Sequence, residues 1–221
     1  KQFLIKRKQC CGNGCLMCPY IPKHTKGSYK IMNRMGYACI NMQLSSQKPK
    51  IYTGRSMIKR TFKDKGIKYA SELGLQNTKD LFEIIKWNKE NGFDFFRITS
   101  NLFPWCSEYK LEDMPDHWEI AGILGEIGKY VDEHKIRLTS HPGPFNVLTS
   151  PHEHVVENCI NDLSVHGEVF DMMGLSRTPY NKINIHIGGA YGDKVSAMER
   201  FCENFHRLPN SVKSRLTVEN D

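Results

Sequence analysis

Two histidines and a glutamate fall at the polar ends of three short apolar runs that lie far apart in the chain. His141 closes IRLTSH, His186 lies within INIHI, and Glu219 follows RLTV. Imidazole and carboxylate together suit Zn²⁺, Mn²⁺ or Fe²⁺. Such a ligand set activates a water for hydrolysis and, with paired ions, clamps a phosphate. Glu108 is a fourth candidate ligand, ten residues past the apolar run FDFFRI and in a loop. The remaining histidines have plainer readings. His134, His166 and His206 read as hydrogen-bonded structural residues, and His152 and His154 as exposed residues at a helix entry.

For the three ligands to meet, their strands must lie side by side and run the same way. From Met35 onward, short apolar runs alternate with helical patterns, the signature of βαβ units and a parallel sheet. Strands are predicted over residues 36–42, 93–98, 136–140, 183–187 and 215–218, with a polar loop over 44–60. Helices are predicted over 77–91, 118–133, 152–173 and 193–206. Asn77 or Thr78 would cap the first helix and Gly92 would stop it. The fold class is α/β, a TIM (β/α)8-type barrel that is incomplete at five strands, since a closed barrel takes eight strands and typically ~250 residues. An open doubly wound sheet is the alternative. Neither GxGxxG nor a P-loop follows any strand, which disfavours nucleotide binding. In a barrel the strand ends converge on one face, where active sites form.

The 221 residues carry a net charge of +7, which suits a polyanionic partner such as nucleic acid. No apolar run approaches the ~18 residues of a membrane span. The chain opens on Lys1 without a signal pattern, so a fragment or processed piece is expected. Residues 1–32 read as a Cys-rich segment or tail, with a linker around 23–30, ahead of a domain over 33–221. Cys10, Cys11, Cys15 and Cys18 crowd into nine residues. Cys11, Cys15 and Cys18 have the CxxxCxxC spacing of radical-SAM iron–sulfur ligation, but no SAM-binding glycine motif follows. All four together suggest a compact Zn²⁺ or Fe–S site, with His24 as a substitute ligand, against the alternative of a reduced tail. Cys39, Cys106, Cys159 and Cys202 stand singly in or beside apolar segments. They are expected to be reduced and buried, which points to a reducing intracellular compartment and not to a secreted protein.

Five pieces, GYACIN (residues 36–41), FFRITSNLFPW (95–105), SHPG (140–143), HIGGAYGDK (186–194) and VEND (218–221), resemble the ultraviolet damage endonucleases in order and spacing. The resemblance covers residues 33–221 and implies a TIM barrel with a Mn²⁺-dependent multi-metal site. It implies incision of damaged double-stranded DNA immediately 5′ to a lesion, by a protein expected to be a monomer. It assigns His141, His186 and Glu219 to metal binding and catalysis. It places Tyr37, Asn41, Asn101, Pro144, Phe145, Tyr191 and Lys194 on the DNA- or lesion-facing side.

The chain departs from the family pattern in three ways. Glu108 stands where many members have a histidine, and a carboxylate can replace it toward a hard divalent ion. Pro144-Phe145 replaces a Gln-Tyr pair that probes the damaged bases. Phe145 can still wedge or stack against unstacked bases, but the glutamine's hydrogen bonding is lost. The last strands, which in the family carry the remaining ligands and a modified lysine, are absent, so an incomplete site is expected. A sugar isomerase or epimerase on a related metal barrel is the competing enzyme reading, and a non-catalytic DNA-binding fragment is the binding-module reading.

Overall fold

The computed structural model describes residues 9–14, 20–21, 24–28, 30–31 and 34–219. The chain divides into two compact units, Lys1–Met35 and Gly36–Asp221. In the first, β1 (Tyr20–Ile21) pairs antiparallel with β2 (Lys30–Ile31). The Cys10 amide donates to Ser28 O at 2.7 Å and Cys10 O accepts from the Gly27 amide at 2.9 Å. The stretch expected to be a linker is therefore the turn of a small hairpin. The pairing is between backbone groups, which leaves no trace in hydrophobic periodicity. Cys15 and Cys18 lie outside the described residues.

The second unit is a parallel sheet of β3 (Gly36–Ala38), β4 (Phe95–Ile98), β5 (Arg137–Ser140), β6 (Ile183–His186) and β7 (Leu216–Glu219). These strands lie side by side in chain order. The connections carry α1 (Met42–Ser45), α2 (Lys59–Glu90), α3 (His117–Glu133), α4 (Glu153–Met172), α5 (Lys194–Arg207) and α6 (Asn210–Lys213). A doubly wound sheet reverses its strand order at a switch point. This sheet does not reverse, as befits a segment of a (β/α) barrel that five strands leave unclosed.

Because side chains alternate across a strand, each strand divides its residues between two environments. Phe96, Ile98, Leu138, Ile183 and Ile185 enter the core with Leu81 and Ile85 of α2, Leu124 and Ile127 of α3, and Leu163 and Phe170 of α4. Arg97, Thr139 and Asn184 instead line a cavity of about 320 Å³ on the other face.

Three expectations are corrected. The first long helix starts at Lys59 instead of Asn77, with a break at Gly66, whose φ is 64°. Its early turns bury the small residues Ala70, Ser71 and Gly74 in place of an apolar stripe, so no amphipathic signal marks them. Asn77 is not a cap. It is fully buried in mid-helix, where its amide donates to Arg55 O at 3.0 Å and Leu102 O at 2.9 Å. The first strand ends at Ala38, because Cys39 turns the chain with φ 63°. Among the single cysteines, Cys106 and Cys159 are buried and Cys39 partly so, but Cys202 is exposed. Among the described residues, no helix is long and apolar enough to cross a membrane.

Candidate metal centre

β6 and β7 pair in parallel with His186 opposite Glu219, so their last residues stand side by side. β5 lies on the other flank of β6 and delivers His141 one residue past its end. The three side chains converge: His141 Nε2 lies 3.1 Å, and His186 Nδ1 3.7 Å, from the same Glu219 Oε2. The two imidazole rings meet edge to face with centroids 5.0 Å apart. One ligand atom from each residue falls within 4.8 Å of the other two.

The donor chemistry fits a bound cation. His141 Nδ1 lies 3.1 Å from Pro142 O, a carbonyl that only accepts, so Nδ1 carries the proton. In the neutral ring Nε2 then presents a lone pair to a carboxylate oxygen. Either a second proton or a metal ion must stand between two such acceptors. A backbone carbonyl that fixes the tautomer of a ligating histidine is the usual outer-shell arrangement. With a proton on Nε2, the His141 contact holds the Glu219 carboxyl below its ordinary range, with smaller help from Asn184 and His186. The carboxylate is thus ionised where a ligand must be.

Tyr37 lines the same cavity as His141 and Glu219. Its hydroxyl donates to Asn88 Oδ1 at 2.5 Å and accepts from Asn41 Nδ2 at 2.7 Å. Burial raises its pKa, and the two amide contacts oppose the rise. Asn41 also caps α1, accepting from the Leu44 amide at 2.9 Å. The Tyr37 hydroxyl is therefore held between Asn41 and Asn88, and Asn88 is a residue that sequence reasoning missed. It is a buried polar residue on the core side of α2, and nothing in its sequence neighbourhood sets it apart.

Asn101, Glu108, Pro144 and Phe145 line a separate groove of about 570 Å³, together with Lys59 and Trp105. Glu108 is not in the three-ligand group. Its carboxylate lies 3.5 Å from Lys59 Nζ, and that ammonium sits 5.4 Å from the centroid of the Trp105 ring. Phe145 is 87% exposed. Tyr191 and Lys194 are exposed beyond β6. Of the plainer readings, His152 and His154 are exposed, and His166 is buried with its Nδ1 2.8 Å from Ser140 Oγ.

A family model described as UV-endonuclease UvdE matches residues 33–221. This chain belongs to that family. It is 38% identical over 195 residues to the UV-damage endonuclease of Schizosaccharomyces pombe, covering 85% of this chain and 31% of that protein. A putative UV-damage endonuclease of Acanthamoeba polyphaga mimivirus is 37% identical, with 85% and 57% covered. The crystal structure of SacUVDE superposes with a TM-score of 0.72 and 32% identity, over 85% of this chain and 61% of that one. The chain thus spans from 31% to 61% of the length of these UvdE relatives. The family match lies over the sheet and all three converging ligands, and it begins after the cysteine cluster.

Proposed function

We propose that this chain carries the first part of a metal-dependent endonuclease site that nicks double-stranded DNA 5′ to ultraviolet-induced lesions. The observation that carries the reading is the convergence of His141, His186 and Glu219 at neighbouring strand ends in a chain of the UvdE family. When bound, a divalent ion, with Mn²⁺ proposed, supplies Lewis-acid charge to a phosphoryl oxygen and lowers the pKa of a water. The chain's own residues hold that ion and orient what surrounds it. Glu219 contributes negative charge, His141 a tautomer fixed by Pro142 O, and Tyr37 a hydroxyl anchored by Asn41 and Asn88. Phe145 is proposed to stack on unstacked bases, a role supported by its exposure on the lining of the groove. Glu108, which lies 3.5 Å from Lys59 Nζ, is proposed as a further carboxylate that would help to hold a metal ion. Asn101, Pro144, Tyr191 and Lys194 are proposed to face the DNA. The net charge of +7 supports a polyanionic partner.

The test is a duplex carrying one photoproduct and a 5′ label, incubated with the full-length protein and Mn²⁺. The expected product ends at the phosphodiester immediately 5′ to the lesion and disappears with His141→Ala or His186→Ala. Nicking that survives both substitutions, or ketose turnover without DNA binding, overturns the reading.

The cysteine cluster supports a second proposal, a thiolate-bound Zn²⁺ or iron–sulfur centre at Cys10, Cys11, Cys15 and Cys18. Cys10 is buried, and its sulfur accepts from the Gly12 amide at 3.4 Å, the kind of contact that stabilises a thiolate ligand. Metal analysis of the triple variant His141→Ala, His186→Ala, Glu219→Ala separates this centre from the other. Retained zinc or iron, lost on Cys10→Ser, is expected; absence of both metals overturns it. We also propose a monomer, and a reducing intracellular compartment, the latter supported by the unbridged thiols of Cys39, Cys106, Cys159 and Cys202.

A further inference from the structure

The loop after β5 begins with the metal ligand His141 and runs through exposed Phe145 to buried Asn146. Both of its ends are tied to one turn of α4. At the near end, Ser140 Oγ lies 2.8 Å from His166 Nδ1, in a buried contact. At the far end, Asn146 Nδ2 donates to Asp162 Oδ2 at 2.8 Å and to Gly143 O at 3.1 Å. Asp162 and His166 stand four residues apart on the same helix face, with His166 Nε2 3.8 Å from Asp162 Oδ2. The other Asp162 oxygen accepts from Cys106 Sγ at 3.2 Å. Cys106 belongs to the loop after β4, which carries Trp105 and Glu108 on the opposite wall of the groove. Burial, with the negative charge of Asp162, holds the Cys106 thiol well above its ordinary pKa, so it stays a donor.

One carboxylate thus accepts from two catalytic-face loops at once, and its helical neighbour reaches the strand end that bears His141. We propose that Asp162 is a positioning residue that sets the lesion preference of the site. It clamps the Phe145 loop and the Trp105–Glu108 loop at a fixed separation, with His166 completing the link to β5. The proposal rests on the nuclease reading for its functional consequence and on geometry alone for the clamp. A bare packing role does not require both oxygens of one carboxylate to be engaged by different loops. Nor does it place that carboxylate on the lining of the groove, where Asp162 is found.

The test combines amide hydrogen exchange with binding of irradiated and unirradiated duplex by the intact chain loaded with Mn²⁺. Asp162→Ala is expected to speed exchange of residues 143–146 and 106–108 together. It should lower the ratio of irradiated to unirradiated affinity about tenfold, the scale of one lost charge-assisted hydrogen bond. Asn146→Ala, which leaves Cys106 bonded, should speed exchange of 143–146 alone. Asp162→Asn, which keeps one oxygen for Asn146, should recover part of the affinity ratio. This second pair of variants decides the matter if Asp162→Ala does not fold. Exchange that is unchanged, or that quickens in both loops with Asn146→Ala, overturns the clamp. Loosened loops with an unchanged affinity ratio overturn its role in preference. If the wild-type chain shows no preference for irradiated duplex, the nuclease reading fails, and the exchange data decide the clamp on their own.

Discussion

His141 Nε2 and Glu219 Oε2, 78 positions apart in the chain, stand 3.1 Å from each other, and that same oxygen lies 3.7 Å from His186 Nδ1. A single carboxylate oxygen faces two imidazoles, a donor set suited to one divalent cation. Glu219→Gln preserves shape but removes the charge. Mn²⁺ affinity measured by calorimetry should fall by more than the ~10–100-fold that loss of an outer-shell partner costs. An unchanged affinity would show that these residues do not hold the ion.

Phe145 offers a clean separation of function from stability. It is 87% exposed, so Phe145→Ala should leave the thermal midpoint within the shift of about 0.5 kcal/mol typical of surface changes. Binding to irradiated duplex, read by fluorescence anisotropy, should weaken by about 1–3 kcal/mol if the ring stacks on a base. Equal affinity of variant and wild type would remove Phe145 from the interface.

Arg215 is fully buried yet charged, with its guanidinium donating to Asp171 at 2.8 Å and to four backbone carbonyls. Desolvation works against the ionised Asp171, but hydrogen bonds from Arg177 and Arg215 outweigh it and lower its pKa. A depressed carboxyl contributes stability above its unfolded pKa of about 3.9, and that contribution disappears as pH falls through the lower folded value. Urea unfolding followed from pH 6 downward should therefore lose this term below about pH 4. Asp171→Asn should flatten that limb. Asp171→Ala should cost about 3 kcal/mol at pH 7 by stranding a buried cation.

Two glycines of α3 should respond in opposite ways to the same change. A Cβ on Gly128 would lie 1.7 Å from Met173 O, a backbone atom that cannot step aside, whereas one on Gly122 would meet nothing within 4 Å. Gly128→Ala should destabilise by about 3 kcal/mol or more as α3 is forced from α4. Gly122→Ala should be neutral or stabilise by up to about 1 kcal/mol through helix propensity. Chemical denaturation of the two variants checks both signs.

Much of the sheet was legible because buried parallel strands are short, apolar and punctuated by helices. The runs at 95–98, 137–140, 183–186 and 216–219 all fall within a residue or two of where they were expected. The early half of α2 was not legible, because its buried face is made of Ala70, Ser71 and Gly74. Small residues let the helix approach Phe103 and Met114 closely but raise no hydrophobic periodicity. Asn77 and Asn88 misled or escaped notice for a related reason. An asparagine reads as a cap or a surface residue unless the partners of its amide are known. The hairpin of the first unit rests on backbone pairing, which side-chain pattern does not report.

The residue types at the strand ends, and the order of the strands, were determined by the sequence alone. So was the likeness of its motifs to the endonuclease family. Alternation along each strand fixes which residues share a face, and that is local information. Only the tertiary structure decided that His141, His186 and Glu219 meet on one carboxylate oxygen while Glu108 pairs with Lys59 across another groove. Those distances depend on parallel register between strands and on how far each loop is drawn back onto its helix. Both are set by long-range packing, which no single segment encodes.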